Sequence, residues 1–428
     1  MAREDGRCPS SEGEPLKRFW FVSAPLAGHI DWGGMWQTAR ALMAAGHTVL
    51  WVSQPPLAPL IESKGIAFAP VPETGWLWPP PPVPDLRAMN PVEAMFLRYR
   101  RALDTWLSED LIPPAVEALI ALAGARGAPD LIVTDPFLSA SAFAAEALDV
   151  PLVVAGWPAG PPLEAERMHA VQADLARISQ ERIARLKAHL GLKGVNFSEG
   201  PTPAVQSPRL HVSYFSPEWY AGDPPFLAQT RFVGGAPAPP ESQPPAWLTD
   251  IPPETSLALI TLGSAFTGDL GFLSWAAQAA ARLEMVPIVV LGGNPIAPAE
   301  KDRLKASLPA GTRLLNWIDY DHVFPRLRVI VHHGGMGTTH RAAIQGIPQV
   351  VVPHAADQRG QARRVALAKV GLHLTAHDVR NGQLLPAIRA VCTDAQVRDN
   401  ARRLAAALAA FGGPARAAGL IEEAADRP

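Results

Sequence analysis

The patterned part of the chain begins with a short apolar run at residues 19 to 24, closed by Pro25 and Gly28 and followed by a helical period from 36 to 45 that Gly46 ends. Residues 47 to 53 read as a second strand. The spacing therefore predicts strand, helix, strand, the unit from which parallel sheets are built. The same succession returns at 129–134, 137–148 and 151–157 (PLVVAGW), with amphipathic helices predicted at 90–107 and 111–123. Residues 163–192 are charged and helical in pattern. The Gly- and Pro-rich stretch that follows, to about Ser207, reads as an exposed loop of the kind that shapes a substrate mouth.

The segment GGAPAPPESQPP, starting at Gly234, is a semi-rigid connector with no core of its own. Beyond it, apolar runs at 257–261, 286–291, 313–315, 329–332 and 349–353 alternate with helical stretches. A chain of 428 residues exceeds the size at which one hydrophobic core keeps growing. The pattern thus predicts an α/β protein of two doubly wound, Rossmann-like domains facing a central cleft. Their expected limits are a flexible tail over 1–15, domains over 16–233 and 247–412 joined by a linker over 234–246, and a C-terminal helix over 413–428 that packs back on the first domain.

Composition narrows the function more than the fold. With 38 basic against 40 acidic side chains the formal net charge is -2, which gives no electrostatic reason to expect nucleic acid or an anionic membrane. The partner predicted is a small molecule. Cys8 and Cys392 are the only cysteines, so neither a disulfide framework nor a thiolate metal site is expected. The polar opening MAREDGRCPSSEGEPLKR lacks the core of a signal peptide, and no run reaches the ~18 uninterrupted apolar residues of a membrane span. A cytoplasmic protein is expected; nothing in the pattern specifies an oligomeric state.

The chemistry-bearing segment is VHHGGMGTTHRAAIQGIPQVVVPHAADQRGQARRV, where an apolar strand runs into a glycine-rich turn and then a helix starting near Thr338. Small residues let backbone approach a ligand, and the free N–H groups of a helix N-terminus favour phosphate, so a diphosphate is expected there. A glycine-rich turn alone can be merely a tight strand-to-helix connection. Together with FWFVSAPLAGHIDWGGMWQTARALMAAGHTVLWVS near the start, however, this segment resembles the UDP-glycosyltransferase superfamily of the GT-B fold, with its plant, sterol and bacterial macrolide branches. That resemblance implies an N-terminal acceptor-binding domain and a C-terminal nucleotide-sugar-binding domain. It also implies inverting, metal-independent transfer of a sugar, a hexose, from a UDP- or dTDP-sugar, UDP favoured, to a hydroxyl of a small apolar acceptor, without further cofactor.

Carried over by position, the resemblance implies that His333, Gly334, Gly335, Gly337 and Thr338 hold the diphosphate with Ser264 of TLGSAF, and that Asp357 and Gln358 bond the sugar hydroxyls. His29 is then the general base, work that suits a side chain titrating near neutrality. Asp135 of TDPF would orient it. Asp135 also reads as an N-cap with Pro136 in the first turn, and Asp357 as a cap of the segment after it. His47 is expected to be structural, and His332 and His340 flank the diphosphate. Asp319, Tyr320 and Asp321 imitate an acid-x-acid metal motif but fall in the loop assigned to the nucleotide base, where Trp317 stacks on the base or the Ile318 backbone reads it.

Two departures stand out. Arg341 occupies the position where plant members carry a ribose-gripping glutamate, and a guanidinium cannot accept hydrogen bonds from ribose hydroxyls. Trp32 stands where the family commonly has proline, with Gly33 and Gly34 beyond. Trp32, Trp76, Trp78 and Trp157 are expected to wall an acceptor site, with Trp36 a further indole nearby, although core packing explains a share of these. The alternatives left open are a nucleotide-sugar epimerase of the same architecture and a catalytically silent nucleotide-sugar-binding partner.

Overall fold

A computed structural model of the chain describes residues 16–79, 81, 89–161, 170–199, 204–240, 242–264, 269–294, 296–354 and 357–426. The tail expected over 1–15, and the first part of the helix expected from 163, lie outside these residues. The first sheet contains β1 (Arg18–Val22), β2 (Thr48–Ser53), β3 (Ala67–Pro70), β4 (Leu131–Thr134), β5 (Leu152–Ala155), β6 (Leu210–Ser213) and β7 (Thr230–Phe232), in the order β3-β2-β1-β4-β5-β6-β7. The second contains β8 (Leu257–Thr261), β9 (Val286–Val290), β10 (Arg313–Leu315), β11 (Leu327–His332), β12 (Gln349–Val351) and β13 (Gly371–His373), in the order β10-β9-β8-β11-β12-β13. All strand pairs are parallel.

The strands legible in the sequence are those buried on both faces, such as LIVT in β4 and LALIT in β8, where helices cover the sheet on each side and the run is continuously apolar. The pattern misses β3, β6, β7 and β13, whose residues AFAP, LHVS, TRF and GLH include no two adjacent large apolar side chains, unlike the equally short RLL and QVV of β10 and β12. The helix after β4 runs over Ser139–Ala147 rather than from Phe137, because Asp135 to Phe137 form a turn first.

One apolar core joins both halves: Trp32, Met35, Phe215 and Trp219 of the first pack with Met336, Ile344 and Val365 of the second. Polar contacts reinforce this junction. Trp219 Nε1 donates to Gln361 Oε1 at 3.3 Å, and Asp223 accepts from Arg363 at 3.1 Å and from Arg364 at 2.6 Å.

The terminal stretch Ala395–Asp426 is long and apolar enough, by length and composition alone, to cross a membrane. It is two helices, Ala395–Ala409 and Gly413–Asp426, with Gly412 and Gly413 at positive φ between them. The second returns to the first domain and packs on the Met35–Ala44 helix. There Lys17 pairs with Asp426, while His47 accepts from the Lys17 amide at 3.2 Å and donates to Glu422 at 2.9 Å.

Ile421, fully buried on that helix, is the test of this docking. Ile421→Ala is expected to cost about 2–5 kcal/mol and lower the thermal midpoint of the first domain. An unchanged midpoint would show that the helix lies against the domain without sharing its core.

Candidate functional site

In open α/β sheets, ligands bind outside the carboxyl ends of the strands where strand order reverses. That point falls between β1 and β4 in the first sheet and between β8 and β11 in the second. The loops leaving these four strands carry His29, Asp135, Ser264 and His333.

His29 sits in a one-turn helix, Ala27–Ile30, directly after β1. Its Nδ1 donates to Asp135 Oδ2 at 3.0 Å, which in the neutral imidazole leaves Nε2 as the acceptor. Asp135 is fully buried, and its other oxygen accepts from the Phe137 amide at 2.8 Å. One carboxylate therefore both orients the imidazole and closes the turn before the next helix.

Aromatic rings wall the imidazole. Trp32 lies 5.0 Å from it and Trp76 4.7 Å, both edge-on. Phe137, which the sequence reading passed over, continues the wall at 5.7 Å from Trp32, with Trp157 a further 6.4 Å along. Trp78 is half-buried two residues beyond Trp76. Trp36 has a different role, buried in the core beneath Lys64 at 4.6 Å. Trp32 adopts φ +37°, a left-handed conformation disfavoured for a bulky side chain. Gly156 makes room for it, since a Cβ there would lie 2.6 Å from that of Trp32.

At the second switch point the helix begins at Met336, so Gly337 and Thr338 belong to its first turn and Gly335 is its N-cap. The His333 ring fills the space above Gly263 and Gly335, where side chains would collide with it at 2.6 and 2.4 Å. Burial, then the neighbouring His332 and His354, push its imidazole down to about 3, against the Thr261 backbone. Its Nδ1 is buried without a hydrogen-bond partner among the described residues. Behind it, His332 accepts from the Gly334 amide at 3.1 Å and donates to Gln349 at 3.0 Å, and burial lowers it to about 4.

The remaining predicted donor residues divide between open and engaged. Trp317 is 53% exposed whereas Ile318 is buried. Thr338, buried, bonds the Tyr320 hydroxyl. Asp357 caps the Gln358–Leu367 helix by position but makes no side-chain capping bond. Burial raises its carboxyl to about 6, opposed by its own backbone and then by His29 and Arg364. Gln358 turns its carboxamide oxygen to the His354 amide at 2.9 Å. Asp319 caps Tyr320–Val323 by accepting from the Asp321 amide at 3.0 Å, and Asp321 pairs with Arg341 at 2.7 Å. Among the described residues, no group of three His, Cys, Asp or Glu side chains is placed to hold a metal ion.

The two half-sites meet across the cleft. A Cβ on Gly28 would lie 2.9 Å from Ser264 Oγ, so the His29 turn abuts the end of β8, and His29 lies near enough to Asp357 to act on its carboxyl. His340 donates to the Tyr214 carbonyl at 2.8 Å, and burial lowers it to about 4.

His332, His333 and His340, with the similarly lowered His211, all titrate below the ~6.5 of a free imidazole. Unfolding therefore takes up protons between about pH 6.5 and 4, and these four groups make stability fall as pH drops through that window. Imidazole proton NMR is expected to show four residues not titrating between pH 7 and 5. Four ordinary titrations there would mean that these rings are hydrated.

Residues 288–424 match the family model described as erythromycin biosynthesis protein CIII-like, C-terminal domain. The chain is 23% identical to 4'-demethylrebeccamycin synthase of Lentzea aerocolonigenes over 95% of this chain and 99% of that protein. It is 28% identical to L-demethylnoviosyl transferase of Streptomyces niveus over 91% and 93%. Among solved structures, the glycotransferase of kitacinnamycin superposes with a TM-score of 0.71 at 22% identity, covering 96% of this chain and 100% of that one. The Streptomyces sp. SF2575 glycosyltransferase SsfS6, complexed with thymidine diphosphate, superposes at 0.67 and 22% identity, covering 95% and 99%.

Proposed function

We propose that the chain, a glycosyltransferase of the UDP-glycosyltransferase superfamily, transfers a hexose, with inversion and without a metal ion, from a pyrimidine nucleoside diphosphate sugar to a hydroxyl of a small apolar acceptor. The observation that carries this reading is the His29–Asp135 pair at 3.0 Å, set at one switch point and facing Ser264 and Asp357 of the other. His29 Nε2 takes the proton of the acceptor hydroxyl as its oxygen attacks the anomeric carbon. Asp135 holds the imidazole and stabilises the imidazolium that forms. The C–O bond to the nucleotide breaks on the opposite side of the sugar, and the leaving diphosphate is received by the first-turn N–H groups at Gly335 to Thr338, by Ser264 and by His333, whose Nδ1 has no protein partner among the described residues.

The sequence reading favours UDP over dTDP, a preference that finds no support among the similar structures, one of which holds thymidine diphosphate. The lack of a ribose-gripping carboxylate at position 341 suits a deoxyribose without a 2′-hydroxyl, so dTDP-sugars are the donors proposed first. Trp32, Trp76, Phe137 and Trp157 form a wall for a flat apolar acceptor. The buried indole N–H groups of Trp32 and Trp76 have no partner among the described residues and can donate to oxygens flanking the attacked hydroxyl. A cytoplasmic setting completes the proposal.

The test is a mass-spectrometric product screen, with chelator present, of dTDP- and UDP-sugars against flavonoid, macrolide, sterol and carotenoid alcohols, with the anomeric configuration of any product read by NMR. A hexose mass gain is expected. His29→Ala should lower the rate by about 10²–10⁴-fold, with Asp135→Asn also impaired. Full activity of His29→Ala would remove the general base; loss of activity in chelator that added metal restores would remove metal independence. Interconversion of the donor sugar without transfer would identify an epimerase, and tight donor binding with no chemistry a silent partner.

A further inference from the structure

Arg341 lies in the Met336–Ile344 helix, whose first turn is the proposed diphosphate site, yet its side chain points across the domain junction. It is 7% exposed and lies between two carboxylates, Asp321 of its own domain at 2.7 Å and Asp31 of the other at 3.5 Å. Asp31 is two residues beyond His29. Its carbonyl accepts from the amides of Gly34 and Met35, both at 2.7 Å, so it joins the His29 turn to the Met35–Ala44 helix. Its Oδ1 is buried with no hydrogen-bond partner among the described residues. Asp31 and Asp321 are close enough to repel each other, and Arg341 is the cation between them.

Beside this cluster the junction is tight. A Cβ on Gly33 would lie 3.1 Å from the His340 ring, and His340 itself is tied to Tyr214. The half-buried Asp31 carboxylate, one oxygen of which is out of reach of water, is thus held by a guanidinium from the other domain. Separating the domains would leave it without that partner, and the turn carrying His29 would lose its fixed end.

We infer that Arg341 and Asp31 are positioning residues, an interdomain strut that fixes the general-base turn from the donor-binding helix, rather than a donor contact. This rests on the proposed role of His29. The strut acts through His29: it bears on the reaction rate and leaves donor affinity alone. If Arg341 instead reaches the nucleotide, its removal weakens donor binding.

The experiment uses the full chain with Arg341→Met, Arg341→Lys, Asp31→Asn and the Met/Asn double variant. It reads hydrogen exchange of the 27–34 peptide, dTDP and UDP binding by calorimetry, and kcat and KM. Arg341→Met and Asp31→Asn are each expected to speed exchange in 27–34 while leaving the β4 to β6 peptides unchanged. Each should lower kcat about ten- to a hundredfold with nucleotide affinity within about twofold, since small misplacements of a reacting group carry costs of this size. The double variant should be no worse than the poorer single one, and Arg341→Lys should recover part of kcat.

Nucleotide affinity falling about tenfold with kcat intact, effects that multiply in the double variant, or unchanged exchange in 27–34 would each overturn the strut. The isosteric Asp31→Asn keeps the test valid if Arg341→Met folds poorly. Exchange and calorimetry need no acceptor, so they decide the strut even if the product screen finds none. An active wild type with a fully active His29→Ala would sink the base while leaving the exchange result to stand.

Discussion

Strand order reverses in both sheets beside the first strand of each, and the placement of His29, Asp135, Ser264 and the turn from His333 to Thr338 follows from that reversal. Helices leave β1 and β4 in opposite directions, as they do β8 and β11, so each sheet opens a crevice at its carboxyl edge that no side chain of the sheet fills. Two such crevices set edge to edge form a cleft with chemistry on both walls. His29 and Asp135 stand on one, while Ser264, His333 and the Met336 helix start stand on the other. The shared apolar core and the Asp223 ion pairs beyond the cleft keep the walls in register.

The electrostatics differ on the two sides. On the donor side, burial strips charge from the imidazoles: His332 and His333 are neutral at any physiological pH, and their bonds are those of uncharged rings. Neutral donors and helix N–H groups avoid paying for a desolvated cation before the ligand arrives, and the diphosphate supplies the charge that strengthens those bonds. At the junction the charge is retained instead, with Arg341 among two carboxylates. A buried ion cluster of that kind contributes little net stability, because desolvation offsets the attraction, but it penalises any arrangement that breaks it. It therefore specifies one mutual position of the domains more than it stabilises the fold.

The two domains, their parallel sheets and the loops bearing His29, Asp135, Ser264 and His333 were legible because buried parallel strands are continuous apolar runs ended by glycine, proline or a polar residue. Strands such as TRF in β7 and GLH in β13 were not, since neither has two adjacent large apolar residues, whereas the equally short RLL of β10 and QVV of β12 do. Asp135 was legible as the partner of His29 but not in its local role: it was expected to cap the next helix, whereas it closes a turn through the Phe137 amide ahead of a helix whose N-cap is Leu138. Arg341 was legible only as a misfit: its position departs from a glutamate, but its partner Asp31 is 310 residues away and becomes visible only when the domains meet. Phe137 was hidden for the opposite reason, as an ordinary apolar residue at a place where a helix was expected and a turn occurs instead.

The turn from Ala27 to Gly34 carries three of the residues on which the proposed function rests: His29, Asp31, which pairs with Arg341 of the other domain, and Trp32, which stands in the aromatic wall. Trp32 holds a strained left-handed φ, tolerated because Gly156 yields space and the rings of His29 and Phe137 pack on either side. A change in the shape of the acceptor wall at Trp32 therefore moves the same backbone that aims the imidazole and meets Arg341. Under the proposed function, acceptor choice, proton abstraction and domain contact are therefore coupled through one short segment, and Trp76, although on another loop, packs its ring 4.7 Å from the same imidazole.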